Sequence, residues 1–542
     1  MLYLLDYGAG NVTSLANSIR QLGHEFRWIS TPSDFNEATS LIFPGVGAFE
    51  SAVQRLIERG LMEPLRKYID SGRPFFGICI GMQVLFQRSE ESPSPGLGIV
   101  PWPIERFSNA DKSVPHIGWN SAEPLDSTSD GASAFYYFVH SYCAKYDPVK
   151  YPESTKWACT TTQYGDELFV SSVRRGNVFG TQFHPEKSGV AGLAILEAWL
   201  RDPAADHPPP ADRTPRSLDP QLGLTKRIIA CMDVRANDEG DLVVTKGDQY
   251  DVRERENSAA ITTTSAGGAV RNLGKPVALA ARYYAAGADE LCLLNITSFR
   301  QSPLRDQPML AVVRAAAECL FVPLTIGGGI KDSVDPDGTS HSALEVASAY
   351  FRAGADKVSI GSDAVYAVEK LRGQGWKLDG TSSIETIAHA YGRQAVVVSI
   401  DPRRVIVDLD YDGPYKDELV RDGSSAWWYQ CTVSGGREAR PLSVVELAKG
   451  VDRLGAGEIL VNSIDRDGTG LGFDLDLLAL VKKAVRIPVV ASSGAGSAAH
   501  FVDVFQRTNV EAALAAGIFH REQVTISQVK ESLVAQGIRV RE

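Results

Sequence analysis

The chain has 542 residues, too many for one hydrophobic core, and its length predicts two to four domains. Its content of 44% hydrophobic and 22% charged residues is ordinary for a globular protein and argues against a disordered or fibrous chain. The net charge of −11 opposes general binding to nucleic acid or to anionic membranes, and no apolar run is long enough to predict a membrane span.

The seven cysteines are scattered along the chain. Their number is odd and none forms a Cys-x-x-Cys pair, which predicts free thiols in a reducing compartment. The first residues, MLYLLDYGAGN, have the pattern of a strand that ends in a turn, so we expect no cleaved targeting peptide and a cytoplasmic location. No ligand cluster has the spacing of a metal site, and we expect neither a metal nor another cofactor.

Residues 1–201 are predicted to form an α/β domain. Short apolar runs such as SLIFPGVGAF and PFFGICIGM alternate with helical patterns, for example over residues 49–72. Residues 202–222 follow, and they contain the stretch DPAADHPPPADRTPRSLDP. Its six prolines and near absence of residues that could be buried predict an extended linker between two domains.

One cysteine has the surroundings of a nucleophile elbow. Cys79 stands between Gly77 and Gly81, where an apolar strand leads into the start of a helical pattern. The glycines leave room for a sharp turn that lifts the sulfur clear of the sheet, and a helix N-terminus favours the thiolate. The alternative is a small hydrophobic side chain packed within a strand.

Candidate partners for this thiol lie at two other strand ends. TQFHPEKS provides His184, which can take the thiol proton, and Glu186, which can orient the imidazole. The same His-Pro-Glu sequence also fits a turn with a capping acid. FPGVG, at 43–47, ends another strand, and its backbone N–H groups together with that of Ile80 predict an oxyanion hole, although a plain tight turn is the alternative.

Residues 223–542 are predicted to form a (β/α)8 barrel of the TIM type. Helical patterns alternate with eight apolar runs: RIIACMDV, ELCLLNI, PLTIGGGI, KVSIGS, AVVVSID, EILVNSID, PVVASSGAG and AALAAGIF. The barrel shows a half-barrel repeat, because Asp233 and Asp401 are separated by the same number of residues as Glu290 and Glu458. The repeat predicts that the two aspartates lie on opposite sides of one barrel mouth.

The C-terminal mouth of such a barrel is where its chemistry is expected. Two carboxylates across one pocket can divide acid and base work, whereas each alone also fits a helix cap. Small residues end strands three, four, seven and eight, and they let backbone N–H groups approach the two phosphates of one ligand. The predicted phosphate contacts are Gly328, Gly329, Gly361, Ser362, Ser493, Gly494, Ala516 and Gly517.

Residues 1–201 resemble the class I glutamine amidotransferase domain of the imidazole glycerol phosphate synthase family in GICIGMQ, FPGVG, HIGWN, YFVHSY and QFHPEKS. The resemblance implies that Cys79, His184 and Glu186 hydrolyse glutamine to glutamate and ammonia through a thioester. It also implies oxyanion contacts at Val46 and Ile80. The contacts it implies to bound glutamine are Gln83, Glu91, Ser141 and Tyr142.

Residues 225–542 resemble the cyclase of the same family, chiefly in KRIIACMDV, GADKVSI, SIDRDGT and ASSGAG. The resemblance implies that ammonia reacts with a bisphosphorylated formimino-aminoimidazole carboxamide ribonucleotide, with Asp233 and Asp401 as the acid–base pair. The residues that also match substrate-binding or supporting positions of the family are Lys246, Asp467, Gly468 and Thr469. Asn295 departs from the aspartate of many bacterial cyclases, SSG replaces SGG at strand seven, and residues 250–272 and 332–342 resemble insertions.

Four charged residues lie at or near strand starts: Arg227, Glu290, Lys357 and Glu458. Solvated strand-end charges are the ordinary interpretation of such a pattern. The family resemblance instead implies a gate beneath the barrel, through which ammonia passes without becoming ammonium, which has no lone pair for attack. Docking of the first domain over this gate would bring Lys187 close to Asp356, and we predict an ion pair between them.

Alternative functions remain open at this point. The isomerase of histidine biosynthesis has a similar repeated barrel, so the second domain alone also fits an isomerase or another phosphosugar enzyme. A non-catalytic binding or regulatory protein is disfavoured because all five candidate catalytic residues are present. We expect a monomer, since one chain holds both halves, with small molecules as its partners and neither nucleic acid nor membrane.

Overall fold

The computed structural model describes residues 1–8, 10–45, 47–125, 134–205, 218, 223–236, 242–245, 275–296, 304 and 308–541. Val46 and Lys246 of the predicted sites lie outside these residues. So do most of the predicted linker and the whole of the predicted insertion at 250–272.

The first 201 residues build one eight-stranded mixed sheet and three two-stranded sheets, together with helices. The described strands are β1 (Leu2–Leu5), β2 (Arg27–Ile29), β3 (Ser40–Phe43), β4 (Phe75–Ile78), β5 (Arg88–Ser89), β6 (Ser92–Pro95), β7 (Glu105–Arg106), β8 (His116–Ser121), β9 (Glu123–Pro124), β10 (Phe135–His140), β11 (Tyr142–Cys143), β12 (Ala158–Tyr164), β13 (Glu167–Arg175) and β14 (Val178–Thr181). The described helices are α1 (Val12–Gln21), α2 (Phe49–Glu58), α3 (Met62–Asp70), α4 (Ile80–Gln83), α5 (Ser154–Trp157) and α6 (Gly189–Arg201).

The sheet has the order β2-β1-β3-β4-β14-β13-β12-β9. Its first five strands are parallel and the last three are antiparallel. Strands β1, β3 and β4 are buried along their whole length, which explains why each is a continuous apolar run in the sequence. The helical pattern of residues 49–72 contains two helices rather than one, because Gly60 takes a left-handed conformation, with φ +66°, between them.

The second part of the chain contains fifteen described strands and ten described helices. The strands are β15 (Arg227–Ala236), β16 (Leu242–Thr245), β17 (Glu290–Asn295), β18 (Leu324–Gly327), β19 (Ser333–Val334), β20 (Ser340–His341), β21 (Lys357–Ile360), β22 (Val396–Ile400), β23 (Pro402–Val407), β24 (Val420–Asp422), β25 (Ser425–Val433), β26 (Glu438–Ser443), β27 (Glu458–Asn462), β28 (Val489–Ser492) and β29 (Ala512–Ala515). The helices are α7 (Pro276–Ala285), α8 (Pro308–Cys319), α9 (Ala343–Ala353), α10 (Ser362–Gly373), α11 (Ser383–Tyr391), α12 (Val444–Leu454), α13 (Leu475–Ala484), α14 (Ala498–Thr508), α15 (Gly517–His520) and α16 (Ile526–Ala535).

Eight of these strands close a parallel barrel in the order β15-β17-β18-β21-β22-β27-β28-β29, with β29 pairing back to β15. They are the eight strands predicted from the sequence, so the predicted α/β fold with a TIM barrel is confirmed. Strands β19 and β20 form a hairpin within the predicted insertion at 332–342. Strands β23 to β26 form a separate sheet after the fifth barrel strand, which the sequence did not predict.

Side chains alternate between the inside and the outside of the barrel. On β15, Ile229 and Cys231 belong to a small apolar cluster, whereas their neighbours Ile228 and Ala230 belong to the main core. The small cluster also contains side chains of β17, β22, β27, β28 and β29, so it fills the barrel interior. Arg227 and Asp233 lie at the two ends of the same face of β15.

The first domain contacts the barrel at the N-terminal ends of the barrel strands. The Trp119 indole N–H donates to the Asp289 carbonyl (3.0 Å), next to the start of β17. The Gly189 N–H donates to the Phe321 carbonyl (2.9 Å), just before β18. The glutaminase-like domain therefore covers the face opposite the predicted mouth. None of the described helices combines the length and the apolar character that crossing a bilayer requires.

Candidate active sites

Cys79 occupies a strained turn between β4 and the one-turn helix α4. Its φ is +50°, a backbone conformation that residues other than glycine rarely adopt. A Cβ on Gly77 would lie 2.4 Å from the Gly81 carbonyl oxygen, and a Cβ on Gly81 would lie 2.1 Å from the Phe43 carbonyl oxygen. Both glycines are therefore required sterically, as the elbow interpretation predicted, and the strain is of the kind found at functional sites.

His184 and Glu186 converge on this cysteine. The His184 imidazole hydrogen-bonds Cys79, and its Nδ1 lies 2.8 Å from Glu186 Oε1. Burial by itself lowers the pKa of His184, but the Glu186 carboxylate and Cys79 outweigh it and raise that pKa well above its usual value. The arrangement favours an imidazolium at His184, next to the sulfur of the nucleophile.

Gln182 also contacts the sulfur, a contact that sequence reasoning missed. Its Nε2 lies 3.5 Å from Cys79 Sγ, and its Oε1 accepts a 2.9 Å hydrogen bond from Gln83 Nε2. A signal was present, because Gln182 precedes His184 by two residues and an extended segment returns to the same face every second residue. A lone glutamine carries no chemistry of its own, so the pattern did not single it out.

The residues predicted to hold glutamine lie around the elbow. The Gln83 amide also donates to the Tyr142 carbonyl (3.0 Å), and the hydroxyl oxygen of Ser141 is buried with no hydrogen-bond partner among the described residues. Glu91 accepts from the Phe49 N–H at 2.9 Å, at the start of α2. Burial raises the pKa of Glu91 to about 7, and burial and the Glu91 charge both raise the pKa of Tyr142.

The predicted oxyanion loop approaches the elbow closely. A Cβ on Gly45 would lie 2.2 Å from the Ile78 carbonyl oxygen and 2.4 Å from the Ile80 nitrogen, so the loop backbone packs directly on the start of α4. Gly47 has φ +127°, and its missing Cβ would contact the Ala390 carbonyl oxygen of the barrel at 3.5 Å. This loop therefore touches both the nucleophile turn and the second domain.

At the other end of the barrel, three carboxylates influence one another. Asp233 lies on β15 and Asp401 follows β22, the first and fifth strands of an eight-stranded barrel, so they face each other across the mouth. Burial and the charge of Asp467 raise the pKa of Asp233 to about 6. Burial also raises the pKa of Asp401, with Asp467 adding to the shift and a hydrogen bond from Asn462 opposing it.

Asn462 is a second residue that the sequence pattern did not single out. Its Nδ2 donates to Asp401 Oδ1 and to Ser399 Oγ, both at 2.9 Å. Donation to the charged carboxylate stabilises the ionised form. The two aspartates therefore differ in environment, since the Asn462 amide donates to Asp401, whereas burial and Asp467 are the causes of the Asp233 shift among the described residues.

The predicted phosphate positions surround the same mouth. Gly361 and Ser362 begin α10, and Ala516 and Gly517 begin α15, whereas Gly329 and Ser493 adopt φ +79° and +71° in turns. Asp467, Gly468 and Thr469 lie in the loop after β27, where Thr469 Oγ1 donates to the Arg466 carbonyl at 2.8 Å. Packing accounts for two of the glycines, because a Cβ on Gly328 would lie 2.2 Å from Asn295 O and a Cβ on Gly494 would lie 2.3 Å from Gly472 O.

The four charged residues at strand starts form a closed ring beneath the barrel, here called the charged ring. Arg227 contacts Glu290 at 2.8 Å and also pairs with Glu458. Lys357 contacts Glu290 at 2.6 Å and Glu458 at 2.7 Å. All four side chains are almost fully buried, which excludes the interpretation as solvated charges. The Tyr137 ring of the first domain is buried beside them.

Lys187 and Asp356 also meet, as predicted. Lys187 Nζ lies 2.8 Å from Asp356 Oδ2, and the same carboxylate accepts from Asn11 Nδ2 (2.9 Å) and from the Leu324 N–H (2.9 Å). Lys187 follows Glu186 directly in the sequence, and Asp356 precedes Lys357 of the charged ring. This pair therefore joins the two candidate sites through adjacent residues. Among the described residues, no group of three or more His, Cys, Asp or Glu side chains is placed to bind a metal ion.

Comparison with known families matches both halves of the chain. The model of the family described as glutamine amidotransferase class-I matches residues 3–202, and that described as histidine biosynthesis protein matches residues 227–525. The second match alone covers more than half of the chain.

Curated relatives match over the full length. A protein of Emericella nidulans named imidazole glycerol phosphate synthase hisHF is 52% identical over 553 aligned residues, covering 100% of this chain and 98% of its own. The chloroplastic protein of that name from Arabidopsis thaliana is 53% identical over 551 residues, covering 99% of this chain and 89% of its own. The HisF subunit of Natronomonas pharaonis is 40% identical over 320 residues, covering 59% of this chain and 100% of its own.

Proposed function

The chain belongs to the family of fused imidazole glycerol phosphate synthases, and from that premise we propose how its residues divide the work. It is an enzyme of histidine biosynthesis with glutamine amidotransferase and cyclase activities in one chain. Glutamine supplies the nitrogen and a bisphosphorylated nucleotide supplies the carbon skeleton. The products are glutamate, imidazole glycerol phosphate and aminoimidazole carboxamide ribonucleotide.

In the proposed glutaminase reaction, the Cys79 thiolate attacks the side-chain amide carbon of glutamine. His184, held as imidazolium by Glu186, gives its proton to the departing nitrogen, so that ammonia and a thioester form. The backbone N–H of Ile80, with that of Val46, would stabilise the oxyanion. His184 then takes a proton from water, whose oxygen attacks the thioester and releases glutamate and the thiolate.

The glutamine itself is proposed to lie among Gln83, Glu91, Ser141 and Tyr142. The unpartnered Ser141 hydroxyl supports this assignment, because a buried hydroxyl without a partner is costly unless a ligand supplies one. The Glu91 carboxylate is suited to receive the α-ammonium group of the substrate, a charge that would hold Glu91 ionised despite its raised pKa.

In the proposed cyclase reaction, Asp233 and Asp401 share acid and base duties across the mouth. Both pKa values are raised, as suits a proton-transfer group, and the Asn462 amide beside Asp401 distinguishes the two environments. Asp467 and Lys246 are proposed as supporting residues. Two phosphate groups would bind at the strand ends around Gly329, Gly361, Ser493 and Gly517, and Gly468 and Thr469 belong to the loop that borders them.

Ammonia is proposed to travel through the barrel from one site to the other. On β15 the inward face contains Arg227, then Ile229 and Cys231, and then Asp233. Six residues of strand span roughly 20 Å. This apolar interior holds neutral ammonia without supplying the proton that would turn it into ammonium. The charged ring closes the lower entrance, so at least one of its ion pairs must part to admit ammonia.

The observation that carries the proposal is the position of the thiol domain over the strand starts of a barrel whose strand ends hold the acid pair. The test is a coupled assay with glutamine or with ammonium salt at elevated pH. Cys79→Ala should abolish product formation from glutamine and leave formation from ammonium unchanged. Asp233→Asn should abolish both. Loss of ammonium use in Cys79→Ala, with a normal melting profile, would contradict this division.

Three further properties are part of the proposal. The domain boundary is placed within residues 202–222, after the end of α6 at Arg201. A monomer is proposed because one chain holds both sites, and sedimentation at several concentrations tests it. A cytoplasmic location is supported by the seven free cysteines, although the Arabidopsis relative is chloroplastic, and imaging of a tagged full-length protein would distinguish the two.

A further inference from the structure

A polar cavity of about 220 Å³ lies between the two domains, and we call it the seam cavity. The first domain contributes the segment from Asp111 to Ser113, together with Tyr164. The second part of the chain contributes residues around Lys226, the end of α13 and the start of β29. The seam cavity belongs neither to the thiol site nor to the barrel mouth, so it goes beyond the proposed function.

Its lining is cationic, in contrast to the chain as a whole. Four basic side chains and two acidic ones face it, whereas the whole chain carries a net charge of −11. The charged residues are Lys112, Lys226, Lys482, Arg486, Asp111 and Glu511.

Two of the four cations already have carboxylate partners. Lys112 Nζ lies 3.0 Å from Asp111 and 2.8 Å from Glu167, and Lys482 pairs with Glu511. Glu511 is also engaged by the Ser113 hydroxyl at 2.7 Å and the Val489 N–H at 2.8 Å. The acidic groups of the cavity are therefore occupied.

The other two cations form no ion pair with a described carboxylate, although the charge of Glu511 acts on Lys226. Lys226 Nζ contacts only neutral oxygens, the Val510 carbonyl at 2.7 Å and the Asn509 side chain at 3.5 Å. Burial, helped by Lys482 and Arg227 and opposed by Glu511, lowers the pKa of Lys226 to about 8. Arg486 is exposed to solvent and its guanidinium has no carboxylate partner among the described residues, while its carbonyl accepts from the Val114 N–H across the interface at 2.8 Å. An anion would stabilise the charged form of a partly buried lysine whose pKa is lowered.

We propose that the seam cavity binds a phosphate group, held between the Lys226 ammonium and the Arg486 guanidinium, with the Ser113 hydroxyl nearby. Two cations that lie outside the ion pairs of the cavity match the charge of a phosphate dianion, and arginine pairs with such oxyanions in a planar, bidentate manner. The volume also accommodates a small phosphate ester. A bound phosphate would contact both domains and would therefore favour the docked arrangement. One of its proposed ligands, Lys226, directly precedes Arg227 of the charged ring.

The test combines location with solution affinity on the full chain. Crystals soaked in tungstate, an oxyanion of the same charge, should show anomalous scattering between Lys226 and Arg486, and Arg486→Gln should remove that peak. In solution, phosphate and glycerol phosphate are titrated calorimetrically at constant ionic strength. The wild type should either bind one more phosphate per chain than the Arg486→Gln variant, or bind phosphate at least tenfold more tightly than that variant does. The tighter of the two ligands would identify a free ion or an ester as the natural source.

Matched variants separate this site from the barrel mouth. Arg507→Gln removes the same charge from a different polar cavity, at the end of α14, and should leave the affinity unchanged. Lys226→Gln should weaken binding as Arg486→Gln does, with its melting curve recorded to establish folding. Tungstate at the mouth alone would overturn the proposal. A tungstate peak in the seam cavity would also overturn it if the wild type and Arg486→Gln bound phosphate equally in solution. The crystal site would then hold an adventitious ion only.

Discussion

The two ends of the barrel contain the same kind of side chain in opposite electrostatic states. At the lower end, burial alone would raise the pKa of Glu458, yet Arg227 and Lys357 lower it to about 2. At the upper end, burial and a neighbouring carboxylate raise the pKa of Asp233 to about 6. Glu458 begins β27 and Asp233 lies within β15, so both adjoin apolar stretches of strand, and their charged neighbours are of opposite sign.

This difference separates closure from catalysis. A carboxylate with two cationic partners stays ionised and does not exchange a proton, so the lower ring is suited to hold a fixed, closed arrangement. A carboxylate whose charge is poorly compensated exchanges a proton near neutral pH, as an acid–base group must. We expect substitutions at the upper end to affect the reaction and substitutions at the lower end to affect stability and leakage.

The largest expected effect is that of Asp401→Asn at the upper end. Removal of an essential proton-transfer group should lower the ammonium-dependent cyclase rate by roughly 10³-fold. Folding should be little affected, because the raised pKa means that burying the charge is unfavourable and the amide is neutral. Initial rates with saturating nucleotide and a thermal melt measure the two quantities.

Glutamine hydrolysis is the control for this variant. With the nucleotide present, Asp401→Asn should still release glutamate at the stimulated rate of the wild type. A cyclase rate within tenfold of wild type would refute the role assigned to Asp401 and leave the barrel chemistry without its second carboxylate.

Glu458→Gln at the lower end should act on stability first. It leaves Arg227 and Lys357 buried with too few partners, which costs about 3 to 5 kcal/mol when one member of a buried charge cluster is removed. Denaturant unfolding at pH 7.5 measures the free energy change. The open ring should also leak ammonia, so that less imidazole product forms per glutamate released.

The matched control for that variant is Glu522→Gln, which removes the partner of Arg282 in an exposed ion pair. A pair of that kind is worth about 0 to 1 kcal/mol. Equal, small losses from both variants would show that the ring does not hold buried charge.

Sequence reasoning succeeded where a physical pattern repeats along the chain. The eight barrel strands were predictable because each is a short apolar run. The ring residues begin four of these runs, but their role as a gate was implied only by the family resemblance, because charges at strand starts also fit solvated positions. The elbow at Cys79 was predictable because flanking glycines have a steric cause. Gln182 and Asn462 were not, since an amide gains its role only from the sulfur or carboxylate that folding brings to it.

Two other features needed the structure for different reasons. The sheet of residues 402–443 is an addition to the barrel, and its pairing is not implied by the strand–helix alternation. The environments of Asp233 and Asp401 depend on Asp467, whose charge raises both pKa values, and on Asn462, whose amide lowers that of Asp401. Sequence identified the acids, and spatial neighbours determine how they differ.

A smaller effect is expected from Asp356→Ala, which breaks the pair that joins the lower ring to the thiol site. It leaves Lys187 buried without its carboxylate and frees the Asn11 amide, so we expect the stimulation of glutamine hydrolysis by the nucleotide to fall about tenfold. The ratio of hydrolysis rates with and without nucleotide measures it.

Thr13→Ala is the control, because it removes a neutral interdomain hydrogen bond, from the Thr13 hydroxyl to the Arg352 carbonyl at 2.8 Å. That variant should keep most of the stimulation. Normal stimulation in Asp356→Ala would sink the idea that this ion pair couples the sites.

The smallest expected effect is a pH shift at the upper end, produced by Asp467→Asn. The charge of Asp467 is one cause of the raised pKa of Asp233, so its removal should lower that pKa from about 6 toward the usual range of an aspartate. Asp467 also raises the pKa of Asp401, so both the acidic and the alkaline limb of the cyclase rate should move to lower pH, whichever aspartate is the base. Rates are measured from pH 5 to 9 at constant free ammonia.

Asp465→Asn removes an equal charge from the same loop, where Asp465 accepts from the Arg404 N–H at 2.8 Å, and should leave both limbs in place. Because the direction holds for either role of Asp233, limbs that stay fixed in Asp467→Asn would show that the two carboxylates do not share one electrostatic site.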